Sequence, residues 1–412
     1  MRRLALDLTP LRASRDFRLL LSGELLTGLG SQAALVALPY QVYTQTGSAF
    51  LTGLLGAVEL GPLVAAALLG GAIADRMDRR RLLLLVQGAL ILAAAALAAG
   101  AFAGAPPVWL LYLLAAVLAG SSSLEGVVRV AIVPNLVAPE QLRGALALSF
   151  GLYQLTAVVG PGAGGLLIAA AGVEGAYVAD AVSCVAMALA AWRMGPQLPR
   201  GEHDPDAGIR RSITEGLRFV RGNQALKGSF AIDLLAMTFG MPRALFPVLS
   251  ISVYGTGAAG TGVLFASVSA GATVAALTTG WLGHTRRQGR GVIVAVALWG
   301  LAITVVGLVG SLWLAALALA VAGAADSVSA VCRATINQTV TPDALRGRMS
   351  SLFMIVVTGG PRLGDVESGA VASLSSARFS VVSGGLACVA GVAVVVLAFP
   401  ALLAYDAERT LS

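Results

Sequence analysis

The sequence is short of charge. Only 12% of its 412 residues are Asp, Glu, Lys or Arg, 57% are hydrophobic, and the mean hydropathy is +0.84. A soluble globular chain carries about 25% charged residues. At half that level a chain this long cannot cover its own surface in water, so lipid must replace water as the main solvent. Histidine is nearly absent. His203 and His284 lie in separate polar segments, which excludes a His-based metal or triad site. Cysteine is scarce too, and Cys184, Cys332 and Cys388 sit in apolar runs without metal-ligand or disulfide-framework spacing. There is no glycine-rich phosphate loop for ATP. These gaps argue against an enzyme and against any cofactor.

What is present points to a membrane. Gly is abundant at 50 residues, which suits helices that pack closely in lipid. The net charge of +7 comes from 28 basic residues against 21 acidic ones, and nearly all the basic ones are Arg. Their clustering between apolar runs fits cytoplasmic loops better than nucleic-acid binding. Arg2, Arg3, Arg12, Arg15 and Arg18 lead straight into a long apolar span, as in a start-transfer helix rather than a cleavable signal.

A span needs about 20 apolar residues to cross the hydrocarbon. That rule predicts an all-α membrane protein of twelve spans, near 17–42, 49–74, 82–103, 108–134, 144–171, 174–195, 226–254, 260–283, 291–310, 313–336, 347–374 and 379–404. Arginine-rich loops follow the second, fourth, sixth, eighth and tenth spans, and the alternate loops are short and nearly uncharged. The expected topology is multi-pass in the cytoplasmic membrane with both termini inside.

The polar segment 196–225 divides the chain into six-helix bundles at 1–195 and 226–412, and spacing of Ile213, Leu217 and Val220 within it predicts a short surface helix. The halves repeat. Arg129 and the run Pro139-Glu140-Gln141-Leu142-Arg143-Gly144 reappear as Arg333 and Pro342-Asp343-Ala344-Leu345-Arg346-Gly347. Gly160-Pro161-Gly162-Ala163-Gly164 reappears as Gly360-Pro361-Arg362-Leu363-Gly364. Two repeats of the same orientation imply pseudo-symmetric, parallel halves.

The segment Gly71-Ala72-Ile73-Ala74-Asp75-Arg76-Met77-Asp78-Arg79-Arg80 resembles the loop signature of the major facilitator superfamily. Asp78 replaces the usual Gly, and in the second-half counterpart His284 stands where the acid would be. The run Gly160, Pro161, Gly164 and Gly165 looks like the fifth-helix motif of exporters in that superfamily. Gly359 to Asp365 and Thr341 to Arg348 look like the branch that holds siderophore exporters and actinobacterial drug efflux proteins. The resemblance spans the whole chain. It implies alternating access and export. Gly71, Asp75, Arg76, Arg79 and Arg80, with Glu140 as the first acid partner and Arg129 and Arg333 at repeat-equivalent places, are expected to form a cytoplasmic latch. Asp75 is expected to accept hydrogen bonds at the start of the eleventh helix. Pro161 is expected to bend the fifth helix, and its glycines to admit a neighbour.

Charges inside the spans are the remaining clues, because each costs roughly 2.5–3.5 kcal/mol at the bilayer centre. Glu24, Glu59, Asp233, Arg243, Asp326, Arg362, Asp365 and Glu367 are the transport or proton-linked candidates. Glu24 and Glu59 lead, since neither has a partner on its own helix. Gly28, Ser31 and Gln32 are expected to line a cavity wall beside Glu24. Glu125 and Arg129, one turn apart, are expected to pair. Asp180 ranks last. The candidate acids and arginines sum to −4, which favours cations or protons over an anion. Many proton-coupled relatives carry an Arg deep in the fourth helix, yet Leu114 to Gly120 has none. Proton antiport is therefore expected from fold and buried acids. The expected partners are protons, lipid and a small amphipathic substrate, siderophore or drug, moved by a monomer. Multidrug efflux of cationic compounds with no siderophore role, or a uniporter or non-transporting sensor on the same fold, remains the alternative.

Overall fold

A computed structural model describes residues 8–198, 218–278, 287–342 and 345–405. Among these the chain is helical, with no strand. Of the linker helix expected at Ile213, Leu217 and Val220, only the end is described, where residues 218–222 are helical and Val220 is buried; the rest of it and the second-half loop with His284 fall outside the described residues.

After a short turn of helix at Thr9–Ala13, the long helices are α1 (Arg15–Thr46), α2 (Ala49–Ala74), α3 (Arg79–Phe102) and α4 (Val108–Leu136). One continuous stretch, Leu142–Arg193, holds two helices, because Ala171 and Gly172 leave helical geometry inside it. Gly172 has φ of +69°, the left-handed region that glycine alone enters freely. We treat residues 142–170 as α5 and 173–193 as α6. Then come α7 (Gln224–Ser252), α8 (Gly257–Thr278), α9 (Gln288–Leu308), α10 (Leu312–Val340), α11 (Arg346–Leu374) and α12 (Ala377–Ala398). Ten segments are long and apolar enough to cross a membrane, with α5 and α6 counted as one. α11 is as long as its neighbours, but Arg362, Asp365 and Glu367 leave it outside that set. Leu92, Trp109, Leu277, Trp313 and Leu397 are strongly exposed, as residues facing lipid are. Trp109 and Trp313 open α4 and α10, where aromatic side chains mark a membrane interface.

Side-chain caps define several helix starts. Asp78 accepts from the Arg80 N–H at α3, Asn223 from Ala225 and Leu226 at α7, and Ser376 from Phe379 at α12. Each takes up an N–H that has no partner within its helix.

The chain forms two compact units, Met1–Gln45 with Val58–His203, and Thr46–Ala57 with Asp204–Ser412. In the first, α3 packs against α4 and the α5–α6 stretch. In the second, α10 packs against α8 and α9, α9 against α12, and α7 against α11.

α7 is not the continuous span that hydropathy predicts. Its first helix stops at Phe239, a 3-10 turn follows at Arg243–Leu245, and a short helix resumes at Phe246–Ser252. Gly240-Met241-Pro242 interrupts it, and Pro242 carries no N–H. Backbone groups freed in lipid need new partners. The Trp299 indole N–H donates to the Gly240 carbonyl at 2.8 Å, and the Asp365 carboxylate accepts from the Ala244 N–H at 2.9 Å.

Candidate intramembrane ion-pair sites

Each unit carries an ion pair between its first and fourth helices. In the first unit Glu24 on α1 meets Arg129 on α4 at 3.6 Å. In the second, Asp233 on α7 meets Arg333 on α10 at 2.9 Å. The register is the same in both. Glu24 stands nine residues after Arg15, where α1 begins, and Asp233 nine after Gln224, where α7 begins. Arg129 stands 21 residues after Val108 and Arg333 21 after Leu312. At 1.5 Å per residue the acids lie about 13 Å in from the starts of their helices. Glu24, read from sequence as having no partner on its own helix, is therefore partnered across helices. Arg129, expected to pair with Glu125 one turn away, reaches Glu24 instead, with Glu125 half-buried alongside and within electrostatic reach of both.

The surroundings of Glu24 extend over four more side chains. The Ser149 hydroxyl of α5 faces Glu24. Gln87 of α3 faces Glu125 and is fully buried. Asp180 of α6, also buried, lies within electrostatic reach of Glu125 and accepts a weak bond from the Cys184 thiol at 3.9 Å. Gln87 and Ser149 were not among the sequence candidates, although a lone Gln in the apolar run of α3 is a visible signal. Gly28 and Gln32 are half-buried against a neighbouring helix. Gly28 lies against Thr156 and Gln32 against Gly160, both on α5, while Ser31 is exposed.

The site in the second unit is tighter. Arg333 and Asp233 are almost completely buried, and Arg333 also donates to Ser329 at 3.0 Å and meets Asp326 at 3.5 Å. Elsewhere in that unit Arg243 and Arg362 both flank Asp365. Asp365 is thus tied to the break in α7. One carboxylate oxygen of Glu367 is buried without a hydrogen-bond partner. Glu59 is half-buried on α2. No group of three or more His, Cys, Asp or Glu among the described residues could hold a metal ion.

The two glycine-proline motifs share a task. Gly160 and Gly164 of α5 lie on Gln32 and on the Ala33 backbone of α1. Gly360 and Gly364 of α11 lie on Met237 and on the Met237 and Thr238 carbonyls of α7. Each motif therefore lets the acid-bearing helix of its own unit approach closely. Pro161 and Gly165 are buried in the same contact region.

The loop after α2 ties together the first unit. Asp75 pairs with Arg79 at 3.3 Å. Arg79 also donates to the Ala131 carbonyl near the end of α4 at 2.7 Å. Arg80 donates to the Ala191 and Trp192 carbonyls that end α6. Glu140, read as their acid partner, is exposed, and so is Arg76. Helix C-termini carry unpaired carbonyls and partial negative charge, so they attract guanidinium groups as an acid would. Gly71 contributes its carbonyl to the Asp75 N–H.

Comparison with known proteins agrees with this architecture. The chain matches a family described as transmembrane secretion effectors over residues 5–410. The enterobactin exporter EntS of Citrobacter koseri is 28% identical over 388 residues, 92% of each chain. EntS of Shigella boydii is 28% identical over 369 residues, 90% of this chain and 88% of that one. Among solved structures, the nucleoside transporter NupG superposes with a TM-score of 0.74 at 13% identity, over 95% of this chain and 100% of that one. A bacterial homolog of the lysosomal transporter Spinster, inward-facing and unoccupied, gives 0.70 at 17% identity over 96% of both chains. At these identities the structures speak for the fold alone.

Proposed function

The chain belongs to the transmembrane secretion effector family, a membrane transporter family of the major facilitator fold, and from that premise we propose that it exports an amphipathic, donor-rich small molecule of the catechol siderophore kind by alternating access and proton antiport. It works as a monomer in the cytoplasmic membrane with both termini inside, and no cofactor takes part beyond the proton gradient. The observation that carries the coupling is the Glu24–Arg129 pair, held at 3.6 Å and open on its Arg129 side. A contact of that length is an ion pair without a full hydrogen bond. An ionised Glu24 keeps lone pairs for a ligand's phenol or ammonium donors. A proton entering from the acidic side takes the same oxygen and displaces the ligand. Competition for one carboxylate makes proton and substrate move in opposite directions. A ligand held as an anion by Arg129 would instead bind together with the proton, which is the opposite sign of coupling.

Efflux of cationic drugs is the second reading, and the interior charge favours it. Arg129 and Arg333 join the interior sum, Glu125 and Asp180 join it with opposite sign, and it stays at −4. Under either reading the Asp75–Arg80 loop serves as a clamp on the helix ends of its unit, releasing as the cycle turns.

The test is flux in liposomes loaded with a pH-sensitive dye, comparing a catechol siderophore with a cationic dye substrate. We expect substrate movement to drive protons the other way, and Glu24→Gln to abolish the proton flux. Co-movement of protons and substrate, or substrate flux with no proton flux in the unaltered protein, would overturn the antiport. Movement of the cationic compound alone would select the drug reading.

A further inference from the structure

We propose that Glu24 and Glu125 hold a single proton between them with Arg129 as their common counter-ion, making a two-carboxyl exchange site of which Glu125 is a direct member. This presupposes the antiport reading above and adds to it a residue and a proton count.

Arg129 stands between two acids. Glu24 reaches it across the helix interface at 3.6 Å, and Glu125 precedes it by one turn on α4, where side chains four apart face each other. Unbalanced charge in a lipid-surrounded interior is costly. Two carboxylates and one guanidinium leave a net negative charge, and two carboxylic acids leave a net positive one. One proton shared by the pair leaves none on these three groups.

Neither acid is locked. Glu24 Oε1 is buried and lacks a hydrogen-bond partner. Gln87 supplies the second observation. Its side chain is fully buried against Glu125, and neither amide atom makes a well-aligned hydrogen bond. A buried amide left unsatisfied is expensive. A carboxamide has one end that donates to a carboxylate and one that accepts from a carboxylic acid. It therefore suits a neighbour that alternates between the two states. The other groups around the pair are the Ser149 hydroxyl from α5 and Asp180 and Cys184 from α6.

The second unit arranges its acids differently. Counting back four residues from each arginine, Ser329 occupies the place of Glu125, and it is bonded to Arg333. The second acid there, Asp326, stands two turns before Arg333 and meets it directly at 3.5 Å, beside the shorter contact to Asp233.

Infrared spectroscopy of the purified protein at neutral pH tests the site through the protonated-carboxyl band. Glu24→Gln and Glu125→Gln should each remove the intensity of one carboxyl, and the double variant should remove no more. With one acid left, that acid ionises against Arg129. Losses that add in the double variant, or a loss confined to one single variant, would overturn the shared proton. Should a variant not be recovered from membranes, a membrane-permeant carbodiimide gives the same answer on the unaltered protein. It reacts with protonated carboxyls, so mass spectrometry should find either Glu24 or Glu125 labelled, and molecules labelled at both would sink the idea. Neither readout uses transport. Non-additive losses without proton-coupled flux would end the antiport and leave the site. Additive losses with coupled flux would end the site and leave the antiport.

Discussion

The two units set an acid and an arginine at the same register and then treat them differently. Arg333 lies at 2.9 Å from Asp233, sealed from solvent, and also meets Ser329 and Asp326, while its Nε makes no hydrogen bond. Arg129 lies at 3.6 Å from Glu24, partly open, beside a second acid and an unsatisfied amide. A sealed pair resists change, because separating it leaves a charge buried alone. A longer, partly open pair can trade partners. Repetition thus supplied one scaffold twice, and the two copies differ in how tightly the pair is held.

The sharpest way to break that comparison is to remove each arginine in turn. Arg333→Ala should destabilise the protein by about 3–5 kcal/mol, the scale for stranding one partner of a buried pair. Arg129→Ala should cost less, about 1–3 kcal/mol, because Arg129 is partly exposed although Glu24 is buried. Thermal unfolding in detergent measures both, and equal losses would erase the distinction. A smaller effect probes what the units share. Gly164→Ala would bring a methyl to 2.7 Å from the Ala33 Cα, and Gly364→Ala would bring one to 2.5 Å from the Met237 carbonyl oxygen. Each should cost about 1–3 kcal/mol by overpacking. A change tolerated in one unit only would mean that the motifs have diverged. The smallest effect concerns a feature of α7 alone. Asp365→Ala should cost about 1 kcal/mol through loss of the cap on Ala244, and Asp365→Asn, which keeps an acceptor, should recover most of it. Failure of Asn to rescue would assign Asp365 to its charge, and so to Arg243 and Arg362.

Much of this was legible beforehand, for physical reasons. Hydropathy finds spans because lipid demands long apolar runs, and the Arg129/Arg333 repeat was visible as text. The pairing of Glu24 with Arg129 was not. Only contacts three or four residues apart can be read along one helix, so Glu125 looked like the partner. The packing of Gly160 and Gly164 was foreseeable in kind, but not that α1 was the neighbour. The break in α7 had its signal in Gly240 and Pro242, yet an average over twenty residues smooths across it. Arg79 and Arg80 were expected on an acid because charge suggests charge. Carbonyls at helix ends carry no mark in the sequence.

The interruption of α7 also bears on how the protein is made. Each piece of that helix is shorter than a membrane crossing, and the segment carries Asp233 and Arg243. The groups that satisfy it are synthesised later: Trp299 lies 59 residues beyond Gly240, and Asp365 lies 121 beyond Ala244. At a translation rate of about 5–20 residues per second, the Ala244 N–H waits roughly 6–24 s for its acceptor. During that interval α7 has left the ribosome without the helices that stabilise it. The contacts that satisfy its interruption can therefore form only after α9 and α11 have been translated.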